Sequence, residues 1–108
     1  MAVVSPTANI VWLCLPRIDS PALFAGLLAG SGDPVTGPSA GEFSVGPLGA
    51  SPPPVQRYLD GSMVLESRWP GLTLQDYLDC SGGRPSQRAG RSDLVRVLRG
   101  KGKARIVF

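Results

Sequence analysis

The sequence predicts an all-β fold, a partial antiparallel β-sandwich with one short helix near the N-terminus. Three observations predict it. Glycine and proline, 14 and 11 in number, take 25 of the 108 positions, about twice ordinary usage. At that density they would break helix after helix, and they suit strands joined by turns. Apolar residues make up 43% of the chain, which separates it from disordered sequences. The apolar runs are short and end in Pro, Gly, Asn or Asp, the pattern of strands. At this length a single domain over 1–108 is expected.

Ala2-Val3-Val4 reads as a strand. Ser5-Pro6-Thr7-Ala8-Asn9 is turn chemistry, because proline presets φ and the Ser, Thr and Asn side chains bond nearby backbone. Ile10 to Leu15 is an unbroken apolar run with β-branched and aromatic residues at its start, so the two runs form a hairpin. Beyond Pro16, Ser20 can cap a helix and Pro21 fits its first position. Leu23, Phe24, Leu27 and Leu28 then fall on one helical face, and Gly30 can supply a left-handed end. The spacing predicts a short amphipathic helix over 20–30, packed against the preceding strand.

Residues 30–41 read as a loop rich in Gly and Pro. Glu42 to Val45 alternates as a strand does, and 46–54 reads as a linker ending in Pro52-Pro53-Pro54, which favours an extended chain. Gln56 to Asp60 reads as a strand end with a turn at Asp60-Gly61. Ser62–Trp69 and Leu72–Leu78 are two strands joined by Pro70-Gly71, a second hairpin. Along the latter, Leu72, Leu74, Asp76 and Leu78 share one face. Residues 81–92 read as an exposed loop. Asp93 to Arg99 fits a strand or a helical face, Gly100-Lys101-Gly102 is a turn, and Ala104 to Phe108 is a strand.

Several function classes are excluded or disfavoured. Histidine is absent, which removes His-based triads and most His-containing metal sites. Cys14 and Cys80 cannot build a disulfide scaffold or a four-ligand zinc site, and buried free thiols are expected. No metal and no cofactor is expected. No basic start followed by a long apolar run marks a secretory signal, and no run reaches a membrane span. A cytoplasmic protein without membrane contact is therefore expected. Residues 84–108 carry eight basic residues against Asp93, a charge of +7, whereas residues 1–83 sum to −4. A basic tail can contact phosphates. Nucleic-acid binding is disfavoured, because no aromatic residues interleave with those charges. Gly100-Lys101-Gly102-Lys103 lacks the spacing and the Ser/Thr of a phosphate loop.

Asn9 to Leu28, NIVWLCLPRIDSPALFAGLL, resembles the opening of glycoside hydrolase family 15, the glucoamylase and trehalase-like enzymes, which begin close to GSIDWLCLPRFDSPALFAALL. Trp12 to Arg17 and Asp19 to Ala25 match in register. Glu42 to Val45, Gln56 to Leu59, Met63 to Glu66, Asp76 to Leu78 and Asp93 to Gly100 follow in the family's order. The last of these resembles a family strand, which implies a strand there. The resemblance implies an N-terminal β-sandwich. Hydrolysis in that family occurs in a following (α/α)6 barrel, where two glutamates act as acid and base. Those glutamates have no counterpart in 1–108, so this chain is expected to be non-catalytic, its partners a catalytic barrel or a second copy.

The remaining candidates follow from chemistry. Glycosidases need two carboxyl groups about 5–10 Å apart. The two glutamates, Glu42 and Glu66, are read as structural, because a glycosidase also needs a deep pocket. Trp12 and Trp69 could stack on sugar rings, but core packing is the commoner use of such residues. Arg17 and Asp19 could face a barrel or a substrate, or simply pair across a bend. Ser20 is read as a cap. The expected function is an accessory sandwich of a trehalase- or glucoamylase-like hydrolase. A free-standing carbohydrate-binding sandwich and a small basic nucleic-acid binder are the alternatives.

Overall fold

The computed structural model describes residues 1–15, 17–28, 41, 43–79 and 93–108. Among these the chain forms nine strands: β1 (Ala2–Val4), β2 (Asn9–Cys14), β3 (Ala22–Phe24), β4 (Phe43–Pro47), β5 (Val55–Tyr58), β6 (Leu65–Trp69), β7 (Leu72–Asp79), β8 (Asp93–Gly100) and β9 (Ala104–Val107). All pairings are antiparallel. They make two sheets. One runs β5-β6-β7-β8 as a meander. The other runs β1-β2-β4-β9, with β3 also beside β2.

The first hairpin forms as its residues predict. Ser5 N–H donates to Asn9 O at 2.8 Å and Ala8 N–H donates to Ser5 O at 2.9 Å. The Ser5 hydroxyl accepts from the Thr7 and Asn9 amides. Ala8 takes φ 61°, a left-handed geometry that costs an alanine about 1–2 kcal/mol. Along β2 the register slips: Val4 faces Ile10 but Val3 faces Trp12. Val11 is the extra residue of a bulge, which resets the alternation. Ile10 and Leu13, three apart, therefore both point into the core, and Trp12 is left half-buried.

The helix expected over 20–30 does not form in its described part, residues 20–28. Ala22–Phe24 is a strand, and Gly26–Leu28 is one turn of 3-10 helix. A helix of this length is marginal without tertiary support, and pairing with β2 outcompetes it. Leu13 faces Phe24 and Cys14 faces Ala22, so Leu23 is bulged out. Phe24 joins Ile10 and Leu13 in the core, while Leu23, Leu27 and Leu28 remain exposed.

The meander follows its sequence closely. Pro70-Gly71 closes the β6–β7 hairpin with Trp69 opposite Leu72. Gly71 has φ 80°, as the third position of a type II turn requires. Residues 93–100 are a strand, paired with β7 through eight register positions. Gly100 then lies so close to this turn that a Cβ would sit 2.1 Å from Gly71 O. From there Gly100-Lys101-Gly102 carries the chain from one sheet to the other. β4 extends to Pro47, so the linker expected over 46–54 begins at Leu48, and the strand expected from Ser62 begins at Leu65. Of the loop expected over 30–41 only Gly41 is described; the loop expected over 81–92, together with Pro16, Glu42 and Cys80, lies outside the described residues.

The sheets meet through Ala8, Val45, Trp69, Leu72 and Leu74, with Phe43 and Leu98 against them. A second cluster joins Ile10, Leu13 and Phe24 to Phe43 and Leu94. Cys14 is a buried free thiol.

Candidate functional site

Two polar clusters lie on the two faces of the meander. The register decides which residue goes where, because directly opposed residues share a face. Glu66 faces Gln75 and Arg57, and so points outward. Asp76 faces Leu65 and Arg96, one position along, and so points inward.

On the outer face, Glu66 Oε1 accepts from Arg57 Nε at 3.1 Å and pairs with Arg68 Nε at 2.8 Å. Oε2 accepts from Gln75 Nε2 at 3.2 Å. These neighbours cover the Glu66 side chain to 5% exposure, while the arginine side chains stay more than half exposed. The Gln75 hydrogen bond, then the Arg57 hydrogen bond and the charges of Arg68 and Arg57, hold the Glu66 carboxyl below its ordinary value, although burial pushes it the other way. A glycosidase acid needs the opposite displacement, so that it carries a proton at working pH. The nearest described carboxylate in register, Asp76, lies on the other face of the sheet. Glu42 lies outside the described residues. The arrangement of Glu66 suits a structural carboxylate.

On the inner face, Arg96 spans the gap between the sheets. Its Nε and Nη2 hold Asp76 Oδ1 and Oδ2 at 2.7 and 3.1 Å. Its Nη1 donates to Phe43 O at 2.6 Å and its Nη2 to Ala8 O at 2.5 Å. The guanidinium also lies 4.8 Å from the Phe43 ring centre. The Arg96 and Asp76 side chains are 3% and 4% exposed. One residue of β8 thus grips β7, β4 and the turn before β2. The left-handed Ala8 belongs to this grip, since its carbonyl is one of the four acceptors. Gln56 adds a lesser link, donating to Ser5 O across the gap and to Ser67 Oγ.

Sequence reasoning missed this clasp and read Arg96 as part of a basic tail. The signal was present: Asp76 continues the apolar face of Leu72 and Leu74, and Arg96 shares the face of Leu94 and Leu98. A charged residue at an inward position of an alternating strand needs a buried partner.

The four candidates from the sequence do not gather. Arg17 and Asp19 pair at 3.0 Å, both side chains largely exposed, across a turn in which Ser20 N–H donates to Arg17 O and the Ser20 hydroxyl accepts from the Arg17 amide. Ser20 therefore ties the bend rather than capping a helix. Trp12 is half-buried on β2. Trp69 is buried in the cluster of Val45, Leu72 and Leu74. Along the chain from this bend to residue 28, Ile18, Leu23, Leu27 and Leu28 are all exposed. An open concavity at Tyr58, Leu59, Asp60 and Met63 has none of the convergent depth of a sugar pocket.

Among the described residues, no group of three His, Cys, Asp or Glu could hold a metal ion. No helix among them is long and apolar enough to cross a membrane.

Comparison with known proteins gives the following. The model of the trehalase-like N-terminal family matches residues 1–108. A trehalase of Mycobacterium tuberculosis is 42% identical over 66 residues, which are 61% of this chain and 8% of that enzyme. A trehalase of Mycolicibacterium smegmatis is 41% identical over 66 residues, 61% of this chain and 9% of the enzyme. The matched stretch is thus less than a tenth of either relative's length. No solved structure matches the chain.

Proposed function

The chain belongs to the trehalase-like N-terminal family, and on that premise we propose that it serves as the non-catalytic sandwich of a cytoplasmic glycoside hydrolase of family 15 acting on trehalose or a related α-glucoside. The observation that carries this reading is the family match over 1–108. The character of Glu66 supports it. Its carboxyl is clamped by two arginines and a glutamine and held ionised, the reverse of what proton donation to a glycosidic oxygen needs.

The interdomain surface, in this reading, is the exposed apolar stretch around the Arg17–Asp19 bend. Ile18, Leu23, Leu27 and Leu28 are all exposed within one short segment of the chain, and a concentration of exposed apolar residues marks a contact region. Trp12, half-buried on β2, is the aromatic residue offered to that contact, whereas Trp69 lies in the other core cluster, with Val45, Leu72 and Leu74.

The test is glucose release from trehalose, maltose and starch by the purified chain. No release above background is expected. Release that disappears in Glu66→Gln would overturn the reading.

A further inference from the structure

We propose that residues 1–15 and 17–28 form a flap with a core of its own, held shut on the rest of the fold by Arg96 and Gln56 at the Ser5–Asn9 turn. Three observations lead there. The first is how the core divides. The cluster of Ile10, Leu13 and Phe24 is drawn wholly from this segment, and Ala2, Val4 and Leu15 of the same segment pack against it. From outside come Phe43 and Leu94, with the Phe108 ring edge-on to Phe24. Ala8 alone of the segment enters the other buried cluster, whose remaining members are Val45, Trp69, Leu72 and Leu74. Strands β1, β2 and β3 are paired with one another through β2. A segment with its own strands and its own apolar cluster can open as one unit while the remainder stays folded.

The second observation is the thinness of the backbone seam. Among the described residues the segment pairs with the rest of its sheet at two register positions, Asn9 with Ser44 and Ile10 with Phe43. One step further along that ladder Val45 would meet Ala8, but there the chain already turns back into the hairpin. Ala8 holds its left-handed φ of 61° at the position where a three-residue hairpin loop ordinarily has glycine. Such a backbone persists only where its surroundings hold it.

The third observation is what holds it. Gln56 and Arg96 lie on β5 and β8, the two outermost strands of the meander, yet both reach this one turn. Gln56 Nε2 donates to Ser5 O at 3.1 Å and Arg96 Nη2 to Ala8 O. Arg96 Nη1 takes Phe43 O, directly across the seam from Ile10. The guanidinium therefore splices the two sides of the short β2–β4 ladder, and Gln56 pins the start of the same turn. Withdrawal of these two side chains leaves the flap with two ladder positions and its contacts to Phe43, Leu94 and Phe108. The flap also carries Ile18, Leu23, Leu27 and Leu28, so opening moves the segment assigned above to the interdomain contact; the flap itself does not rest on that assignment.

The test is labelling of buried thiols by iodoacetamide in native buffer and in urea below the unfolding transition, with each cysteine resolved by peptide mass. Cys14, a buried free thiol on β2, reports on the flap. Leu74→Cys, at a fully buried position of β7, reports on the meander in the same molecule. Cys14 should label faster than the thiol at position 74 and with a weaker urea dependence, because its opening exposes less surface. Added to this background, Arg96→Lys keeps a positive charge beside Asp76 and loses the forked reach to both carbonyls. It should speed Cys14 labelling by about tenfold, and Gln56→Leu should speed it a few-fold, each by more than it speeds labelling at position 74. Equal rates and equal urea dependence at the two positions, or acceleration of both by the same factor in the Arg96 and Gln56 variants, would show that the segment opens only with the whole fold and would overturn the proposal. If Arg96→Lys fails to fold, Gln56→Leu decides; if Leu74→Cys fails to fold, hydrogen exchange of the β2 and β7 amides in the wild type and in Gln56→Leu makes the same comparison.

Discussion

The two sheets are made by different means. In the meander, each strand pairs with the next one along the chain, and β7 and β8 stay in register over eight positions. In the other sheet, β2 and β4 share only two register positions, and β4 must wait for β9 to arrive from beyond the whole meander. Two bulges interrupt it, at Val11 and Leu23. Neighbouring strands close short loops, whereas distant ones must offset more chain entropy before any contact forms. The second sheet is therefore the more yielding one. It and its connections also carry Ile18, Leu23, Leu27 and Leu28, the exposed apolar residues of the proposed interdomain contact. Contact surfaces are commonly drawn from the less stable parts of a fold.

The sharpest way to break this contrast is to cut the clasp between the sheets. Arg96→Ala strands the Asp76 carboxylate in the core and should cost about 3–5 kcal/mol, read from denaturant unfolding. Joining Arg96→Met to Asp76→Leu should recover a large part of that loss, since no charge is then left buried. Phe24→Ala removes the ring that ties β3 to β2 and should cost about 3 kcal/mol or somewhat more. Gly100→Ala tests the crossover: the overlap with Gly71 O and the strained φ of 140° should cost about 2–4 kcal/mol.

Smaller effects sharpen the same comparison. The Glu66 carboxyl is held below its ordinary value of 4.5 in the folded chain. Its contribution is therefore complete above that pH and is lost as pH falls through the lower folded value. Glu66→Gln should flatten the acid limb of the stability profile. Added salt should weaken the effect in the wild type, because Arg57 and Arg68 are largely exposed. Smallest of all, Leu28→Ser should change stability by no more than about 0.5 kcal/mol, since a docking residue stabilises little in the free chain.

The same contrast decides what the sequence shows. The meander is legible because its strands alternate and Pro70-Gly71 marks its hairpin; the Ser5–Asn9 turn is legible for the same local reason. The segment around Phe24 is misleading, because the spacing of Leu23, Phe24, Leu27 and Leu28 is helical while β2 offers a strand partner that spacing cannot reveal. Trp12 reads as core because a bulge at Val11 leaves no mark in an all-apolar run. Of the site, the Arg17–Asp19 pair is visible from two neighbouring charges. The Arg96 clasp depends on acceptors at Ala8 and Phe43, far away in sequence, and only the odd placement of Asp76 and Arg96 on apolar faces hints at it.

The most direct measurement is native-state hydrogen exchange, resolved by residue, on the wild type and on Arg96→Ala. Amides of β6, β7 and β8 should exchange only through global unfolding in the wild type, and those of β3 and β9 through smaller openings. In Arg96→Ala the gap should widen, with the second sheet losing protection first. Uniform protection across both sheets, or a meander that opens before β2 and β4, would contradict the division of the fold into a self-sufficient sheet and a dependent one.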